Sequence, residues 1–254
     1  MQSIATKRLI KDLKTLERNP LKENGIYHIF DDDNLYNVKA LIIGPLDTPY
    51  ENGFYFFDLI FDNEYPFKPP TVKFCTQNGN IRYNPNLYTN GKVCLSILNT
   101  WEGPKWSSTQ SISSILLTIQ SILNEYPLQN EPGFENDKGL RSSQYNEVIQ
   151  HENFRFSVYE LLKNPPVSFE KFKPIMDNYF IQNFEWYMEK LKNLNETFKN
   201  KQYFISPVYA LSCQNKYNEL LTNYVQKYSI LKEEKYKTNN EKKDISSNMM
   251  QLEL

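Results

Sequence analysis

Tyr83-Asn84-Pro85-Asn86-Leu87-Tyr88-Thr89-Asn90-Gly91-Lys92-Val93-Cys94-Leu95-Ser96-Ile97-Leu98 is the stretch on which the reading of this chain turns. Its Asn-Pro-Asn turn ends eight positions before a thiol, with Asn90-Gly91 between them. Asn and Gly tolerate the left-handed backbone and proline presets its own φ, so the spacing predicts a tight loop that returns the Asn86 amide toward the sulfur. Carbonyl attack by a thiolate creates an oxyanion, and a fixed amide donor stabilises such a charge by about 2.7–4 kcal/mol. The pattern therefore points to acyl transfer on Cys94. The apolar flanks Val93, Leu95, Ile97 and Leu98 would suit a plain core cysteine equally well, so local sequence leaves both readings open.

A chain of 254 residues can bury a sizeable core without staples. Its 29 basic and 30 acidic residues give a net charge of −1, a balance that offers no global field for nucleic acid or an anionic membrane. Three cysteines, Cys75, Cys94 and Cys213, are odd in number and widely spaced, which argues for free thiols in a reducing compartment. No signal peptide or membrane anchor is expected, and the cytoplasm, with the nucleus as a second compartment, is the expected location. No metal and no cofactor are expected. His28 and His151 lie far apart, and no cysteine pair has ligand spacing.

Working outward, Leu9, Ile10, Leu13 and Leu16 predict a first helix over 5–16, with Lys7, Arg8, Lys11 and Lys14 on its other faces. Strands are read at 36–43, 54–61 and 71–75, joined by short Pro-rich turns that leave no room for a crossover helix, so they form an antiparallel meander. Cys75, ending the last of them, reads as a small buried hydrophobe. Beyond the Cys94 loop, Ser107 or Ser108 is the expected cap of a helix carrying Ile112, Ile115, Leu116, Ile119, Ile122 and Leu123. A further helix runs from Ser143 to Leu162 and breaks at Asn164-Pro165-Pro166. Two aromatic-rich helical runs follow, the first starting at Pro174 and the second spanning 216–228; the polar tail from Lys232 is expected to be disordered.

Several short motifs keep this order: Gly44-Pro45, Thr48-Pro49-Tyr50, Gly53-Phe54, Tyr65-Pro66-Phe67-Lys68-Pro69-Pro70, Asn84-Pro85-Asn86, Gly91-Lys92-Val93-Cys94-Leu95 and Trp106-Ser107. Together they resemble the ubiquitin-conjugating enzyme family over about residues 5–162. Trp101-Glu102-Gly103-Pro104-Lys105-Trp106 and Asn130-Glu131-Pro132-Gly133-Phe134-Glu135 are most similar to its class Z branch. The resemblance implies an α+β fold: an N-terminal helix, a four-stranded antiparallel meander, the active-site cysteine loop and C-terminal helices. The expected organisation is a catalytic core at 1–163, a helical aromatic-rich extension at 164–231 and the tail at 232–254.

The resemblance also implies roles. Cys94 would take the C-terminal carboxyl of ubiquitin, or of a ubiquitin-like modifier, from an activating enzyme as a thioester. It would then pass it to a substrate lysine or to a ligase. Asn86 would stabilise the oxyanion or hold the loop, and Glu131 would position and help deprotonate the incoming lysine. Asn84, Pro85 and Ser96 would support the site, with Asn84 where the family usually has His and Ser96 where it usually has an acid. Lys7 and Arg8 would dock the activating enzyme, against the alternative of a solvated face. Phe67 and Ser108 would meet ligases, although Ser108 replaces a frequent proline. Partners would be the modifier, its activating enzyme, ligases and substrate proteins. The competing reading is a non-catalytic ubiquitin-binding scaffold of the same fold. A cysteine hydrolase would require His28 or His151 to reach the thiol, and no motif supports either.

Overall fold

The computed structural model describes residues 3–31 and 34–252, with side chains for 3–30 and 34–237. Helix α1 (Ile4–Arg18) starts at Ser3, whose hydroxyl accepts the Thr6 N–H at 3.0 Å, and it buries Ala5, Leu9, Leu13 and Leu16. Four strands follow: β1 (Ile26–Asp31), β2 (Asn34–Ile43), β3 (Phe54–Ile60) and β4 (Thr71–Phe74). They pair antiparallel in the order β1-β2-β3-β4, the meander that the resemblance implied. The strand not read from the residues is β1, which enters behind Gly25 at φ 71°. The run Ala40–Ile43 in β2 is buried without alternation, so both faces of the sheet are covered there. α1 packs on β2. Cys75 lies just past β4 and is half-buried rather than buried, with its thiol turned to the Lys73 carbonyl.

Helix α2 (Ile112–Ile122) is capped by Ser111, not by Ser107 or Ser108. Ser111 and Ser114 form a reciprocal capping box, whereas Ser107 is taken up in a local turn with Thr109. Helix α3 (Leu140–Glu152) begins three residues before the expected Ser143 and runs into a π-helical stretch, Asn153–Glu160, and a last turn, α4 (Leu161–Lys163). The widened turn presents Asn153, which accepts from the Tyr55 hydroxyl at 2.6 Å and donates to the Glu51 carbonyl at 2.9 Å. The helix is thereby tied to β3 and to the loop before it.

The chain divides into two compact units, Met1–Lys171 with Lys201–Asn215, and Phe172–Asn200 with Lys216–Leu254. This differs from a single boundary after residue 163. Phe169 is one reason, since it stacks on Phe56 of β3 at 4.7 Å. The other is a hairpin, β5 (Tyr203–Ser206) and β6 (Leu211–Gln214), which packs on α3 within the first unit. The second unit holds α5 (Lys173–Gln182), with Pro174 in its first turn, α6 (Phe184–Thr197) and α7 (Tyr217–Leu252). Its aromatics bury one another: Phe180, Tyr187 and Tyr224 form a triangle with ring centroids 5.3–5.7 Å apart. The tail expected to be disordered continues α7 through Leu252. Charged as it is, the run has no Pro or Gly to interrupt a helix; positions 253 and 254 lie outside the described residues.

Candidate active site

The Asn-Pro-Asn turn is bonded to the backbone of Cys94, and its amide goes to the Cys94 carbonyl. Cys94 N–H donates to the Asn86 carbonyl at 2.9 Å, and the Asn86 side-chain amide donates to the Cys94 carbonyl at 2.6 Å. Asn86 is held in turn by Asn84, whose Oδ1 accepts the Asn86 N–H at 3.0 Å. Asn84 is fully buried, and its amide donates to the Ile122 carbonyl at 2.7 Å and the Tyr50 hydroxyl at 3.0 Å. Tyr50 donates onward to the Tyr83 carbonyl at 2.6 Å. Burial of this cluster makes each unmade bond costly, so the amide at 84 anchors the turn to the end of α2. Pro85, also buried, rigidifies the turn between the two asparagines.

Between turn and thiol the chain reverses at Tyr88–Lys92. Gly91, at φ 89°, donates to the Tyr88 carbonyl at 2.9 Å and accepts from Phe74 N–H at 2.8 Å. A Cβ there would stand 2.9 Å from the Lys73 side chain and 3.0 Å from the Phe74 oxygen, so glycine is required twice over. On the far side of Cys94, Thr100 receives the Leu95 N–H at 3.0 Å and donates to the Val93 carbonyl at 2.9 Å. The thiol thus sits in backbone clamped from both flanks. Sequence reasoning did not single out Thr100. Ser96 opens the short turn Ser96–Leu98, and Gly103 of the tryptophan-rich insertion closes over it so tightly that a Cβ at 103 would lie 3.2 Å from the Ser96 Cβ.

Cys94 is 1 % exposed. Among the other thiols, burial, with the Asp58 charge, pushes Cys75 up to about 11, and burial, with the Glu152 charge, pushes Cys213 up to about 12.

Glu131 lies half-buried at the end of a turn in which its N–H bonds the Leu128 carbonyl at 3.0 Å. Its neighbour Asn130 donates to the Ile122 carbonyl at 3.2 Å, the oxygen that Asn84 also uses. The Glu131 loop and the Asn84 turn therefore share one anchor. Two residues not expected at the site join them. Tyr209, between β5 and β6, donates its hydroxyl to Glu131 Oε2 at 2.5 Å. The Arg82 guanidinium packs on the rings of Tyr88 and Tyr209, 3.9 and 4.2 Å from their centroids, and donates to the Pro85 carbonyl at 2.5 Å.

Of the expected docking residues, Lys7 is exposed on α1. Arg8 is engaged within the molecule: it bonds Asp12 at 2.9 Å, the Ser108 carbonyl at 2.5 Å and the Gln110 carbonyl, and its guanidinium lies 5.5 Å from the Tyr65 ring centre. Phe67 is 69 % exposed, and Ser108 is exposed as well. Their loops are joined where the Trp106 indole donates to the Pro66 carbonyl at 2.7 Å.

His28 sits on β1, where burial lowers its pKa. His151 is buried against Glu152 and the Phe204 ring. His151, Glu152 and Cys213 place their ligand atoms within 4.8 Å of one another, a grouping not foreseen from the spacing. Glu152, however, already takes two bonds from Arg155, at 2.8 and 2.6 Å, and one from Asn78 at 2.6 Å. That guanidinium supplies the positive charge a metal ion would bring, so the cluster is a buried ion-pair network.

The family model described as "Ubiquitin-conjugating enzyme" matches residues 8–167. The chain is 42 % identical over 182 residues to Ubiquitin-conjugating enzyme E2 Z of Homo sapiens, covering 71 % of this chain and 51 % of that protein. Against the Xenopus tropicalis protein of the same name the identity is again 42 %, covering 58 % of the relative. A stretch of the human protein named "Dual E2 ubiquitin-conjugating enzyme/E3 ubiquitin-protein ligase BIRC6" is 39 % identical over 178 residues, which is 65 % of this chain and 4 % of that one. The chain thus spans about half the length of the E2 Z relatives it matches. By its fold, its ordered motifs and these matches, the chain belongs to the ubiquitin-conjugating enzyme family.

Proposed function

We propose that this chain carries ubiquitin, or a ubiquitin-like modifier, as a thioester on Cys94. An activating enzyme presents the modifier as its own thioester; the Cys94 thiolate attacks that carbonyl, the old C–S bond breaks, and the enzyme's thiolate leaves. In the second step a lysine ammonium gives one proton to the Glu131 carboxylate, since its ordinary pKa of about 10.4 otherwise keeps it charged. The neutral amine attacks the thioester carbon, the bond to Cys94 breaks, and the proton released from nitrogen returns to the departing sulfur. A ligase cysteine can replace the lysine as acceptor.

The observation that carries this reading is the reciprocal pair of bonds between Asn86 and Cys94. It supports the reading by fixing the backbone that bears the nucleophile. Of the two roles expected for Asn86, loop-holding is the one its donated bond to the Cys94 carbonyl supports. Exposed Lys7 and the surface around it are the proposed dock for the activating enzyme, with Arg8 shaping that surface from within. Exposed Phe67, with the Ser108 loop beside it, is the proposed ligase contact, because a large bare aromatic flanked by polar loops suits a protein partner.

Incubation with activating enzyme, ATP and ubiquitin tests the proposal. A thiol-sensitive adduct that Cys94→Ala abolishes supports it, whereas binding of ubiquitin without any adduct would favour the scaffold reading.

A further inference from the structure

Tyr209 stands outside the segment matched by the family model, which ends at residue 167, yet it touches the one acidic side chain assigned to acceptor activation. Its hydroxyl bonds Glu131 Oε2 at 2.5 Å across 78 positions of sequence. Its ring, like that of Tyr88, packs on the Arg82 guanidinium, and it meets Tyr145 edge-on with centroids 6.0 Å apart. Tyr145, fully buried on α3, donates to the Arg82 carbonyl at 2.6 Å. The backbone at Tyr209 and Ala210 is held at φ 60° and 50°, a region that bulky residues enter only when their surroundings impose it. The hairpin is thus folded so as to deliver one phenol to one carboxylate.

We propose that Tyr209 is a positioning residue for lysine transfer: by engaging Oε2 it turns Glu131 so that Oε1 receives the incoming ammonium, and through Arg82 it locks that carboxylate to the Asn84–Asn86 turn. The inference rests on the carrier reading of Cys94. Its physical basis is a continuous set of contacts: Glu131 to Tyr209, Tyr209 to Arg82, Arg82 to the Pro85 carbonyl, and the next residue, Asn86, to Cys94. A half-buried carboxylate with free rotamers would sample many orientations; a charge-assisted hydrogen bond selects one. Burial and the bond to Glu131 hold the phenol protonated well beyond neutrality, so it serves as a donor throughout the working pH range. The β5–β6 hairpin therefore contributes to the acceptor side of the site and does more than pack on α3.

The test compares wild type, Tyr209→Phe, Glu131→Gln and the double variant, each as the full chain. Each is charged with ubiquitin, the activating enzyme is stopped by removing magnesium, and discharge of the preformed thioester is followed with free lysine and, in parallel, with hydroxylamine. Hydroxylamine is already neutral at neutral pH and needs no carboxylate. Tyr209→Phe keeps the ring on Arg82 and removes only the donor. The lysine-to-hydroxylamine rate ratio is expected to fall about tenfold in Tyr209→Phe, and the double variant to be no slower than Glu131→Gln alone. An unchanged ratio in Tyr209→Phe, or a further drop when it is added to Glu131→Gln, overturns the inference while leaving the carrier reading standing. Failure of wild type to form a thioester on Cys94 overturns the carrier reading itself.

Discussion

The Asn86 amide donates to the carbonyl oxygen of Cys94 at 2.6 Å, and the Cys94 N–H returns a bond to the Asn86 carbonyl at 2.9 Å. Asn86→Ala removes one half of this exchange and leaves a buried carbonyl without its donor. Loss of a buried hydrogen bond costs about 1–3 kcal/mol, so both the melting temperature and the rate of thioester formation should fall. If Asn86 served the oxyanion alone, the rate would fall and thermal unfolding would stay where it was; differential scanning calorimetry beside a charging assay separates the two.

The burial of Cys94, at 1 % exposure, predicts slow alkylation. Cys75 and Cys213 are held as thiols by their raised pKa values, about 11 and about 12, and only thiolate reacts appreciably. Iodoacetamide at neutral pH, followed by peptide mass spectrometry, should modify all three more slowly than a free cysteine does, and at that full rate only after unfolding in denaturant. Rapid selective labelling of Cys94 in the folded chain would mean that the closed loop opens readily.

Lys7 and Arg8 are neighbours with different work. Lys7→Ala should slow charging by the activating enzyme several-fold and leave the melting temperature unchanged, because the side chain is exposed. Arg8→Ala should lower stability by about 1–3 kcal/mol, because it strips donors from Asp12 and from the carbonyls of Ser108 and Gln110. Urea unfolding and single-turnover charging of both variants would expose the opposite pattern if the assignment is reversed.

The pH dependence of stability should carry the mark of Glu152. Burial alone would raise this carboxyl, but hydrogen bonds from His151 and Arg155, with the Arg155 charge, outweigh it and hold it at about 2 against an ordinary 4.5. A carboxyl with a lowered folded pKa stabilises the fold above its unfolded value and loses that contribution as pH falls through the folded one. Stability on the order of 3 kcal/mol should therefore disappear between about pH 4.5 and pH 2. Glu152→Gln should flatten this acid limb in urea titrations. Cys213 has the opposite sign: its pKa, raised from 9 to about 12, costs the fold stability as pH climbs across that interval.

The turn before Cys94 was legible because Asn84-Pro85-Asn86 and Asn90-Gly91 carry their own turn chemistry, whereas the Asn130–Glu135 loop has no mark in its own pattern and entered only through the family resemblance. Arg8 was legible only as a surface cation, since its carbonyl partners lie 100 and 102 positions away. Tyr209 was invisible for the same reason. It sits in a stretch of two four-residue strands, too short to show alternation, with Pro207 between them. β1 escaped because it has one buried residue, Ile26, and otherwise half-buried ones among those with described side chains. The cap of α2 was misplaced by three or four residues because the Ser107–Ser114 segment offers several hydroxyls, and only the reciprocal bonds of Ser111 and Ser114 choose among them.

The most direct measurement is intact-mass analysis of the chain after reaction with activating enzyme, ATP and ubiquitin, on wild type, Cys94→Ala and Cys94→Ser. The account predicts one ubiquitin on wild type that reducing agent removes, none on Cys94→Ala, and an ester on Cys94→Ser that survives reduction. A wild-type chain that stays unmodified, or a Cys94→Ala chain that still carries a reducible ubiquitin, would contradict it.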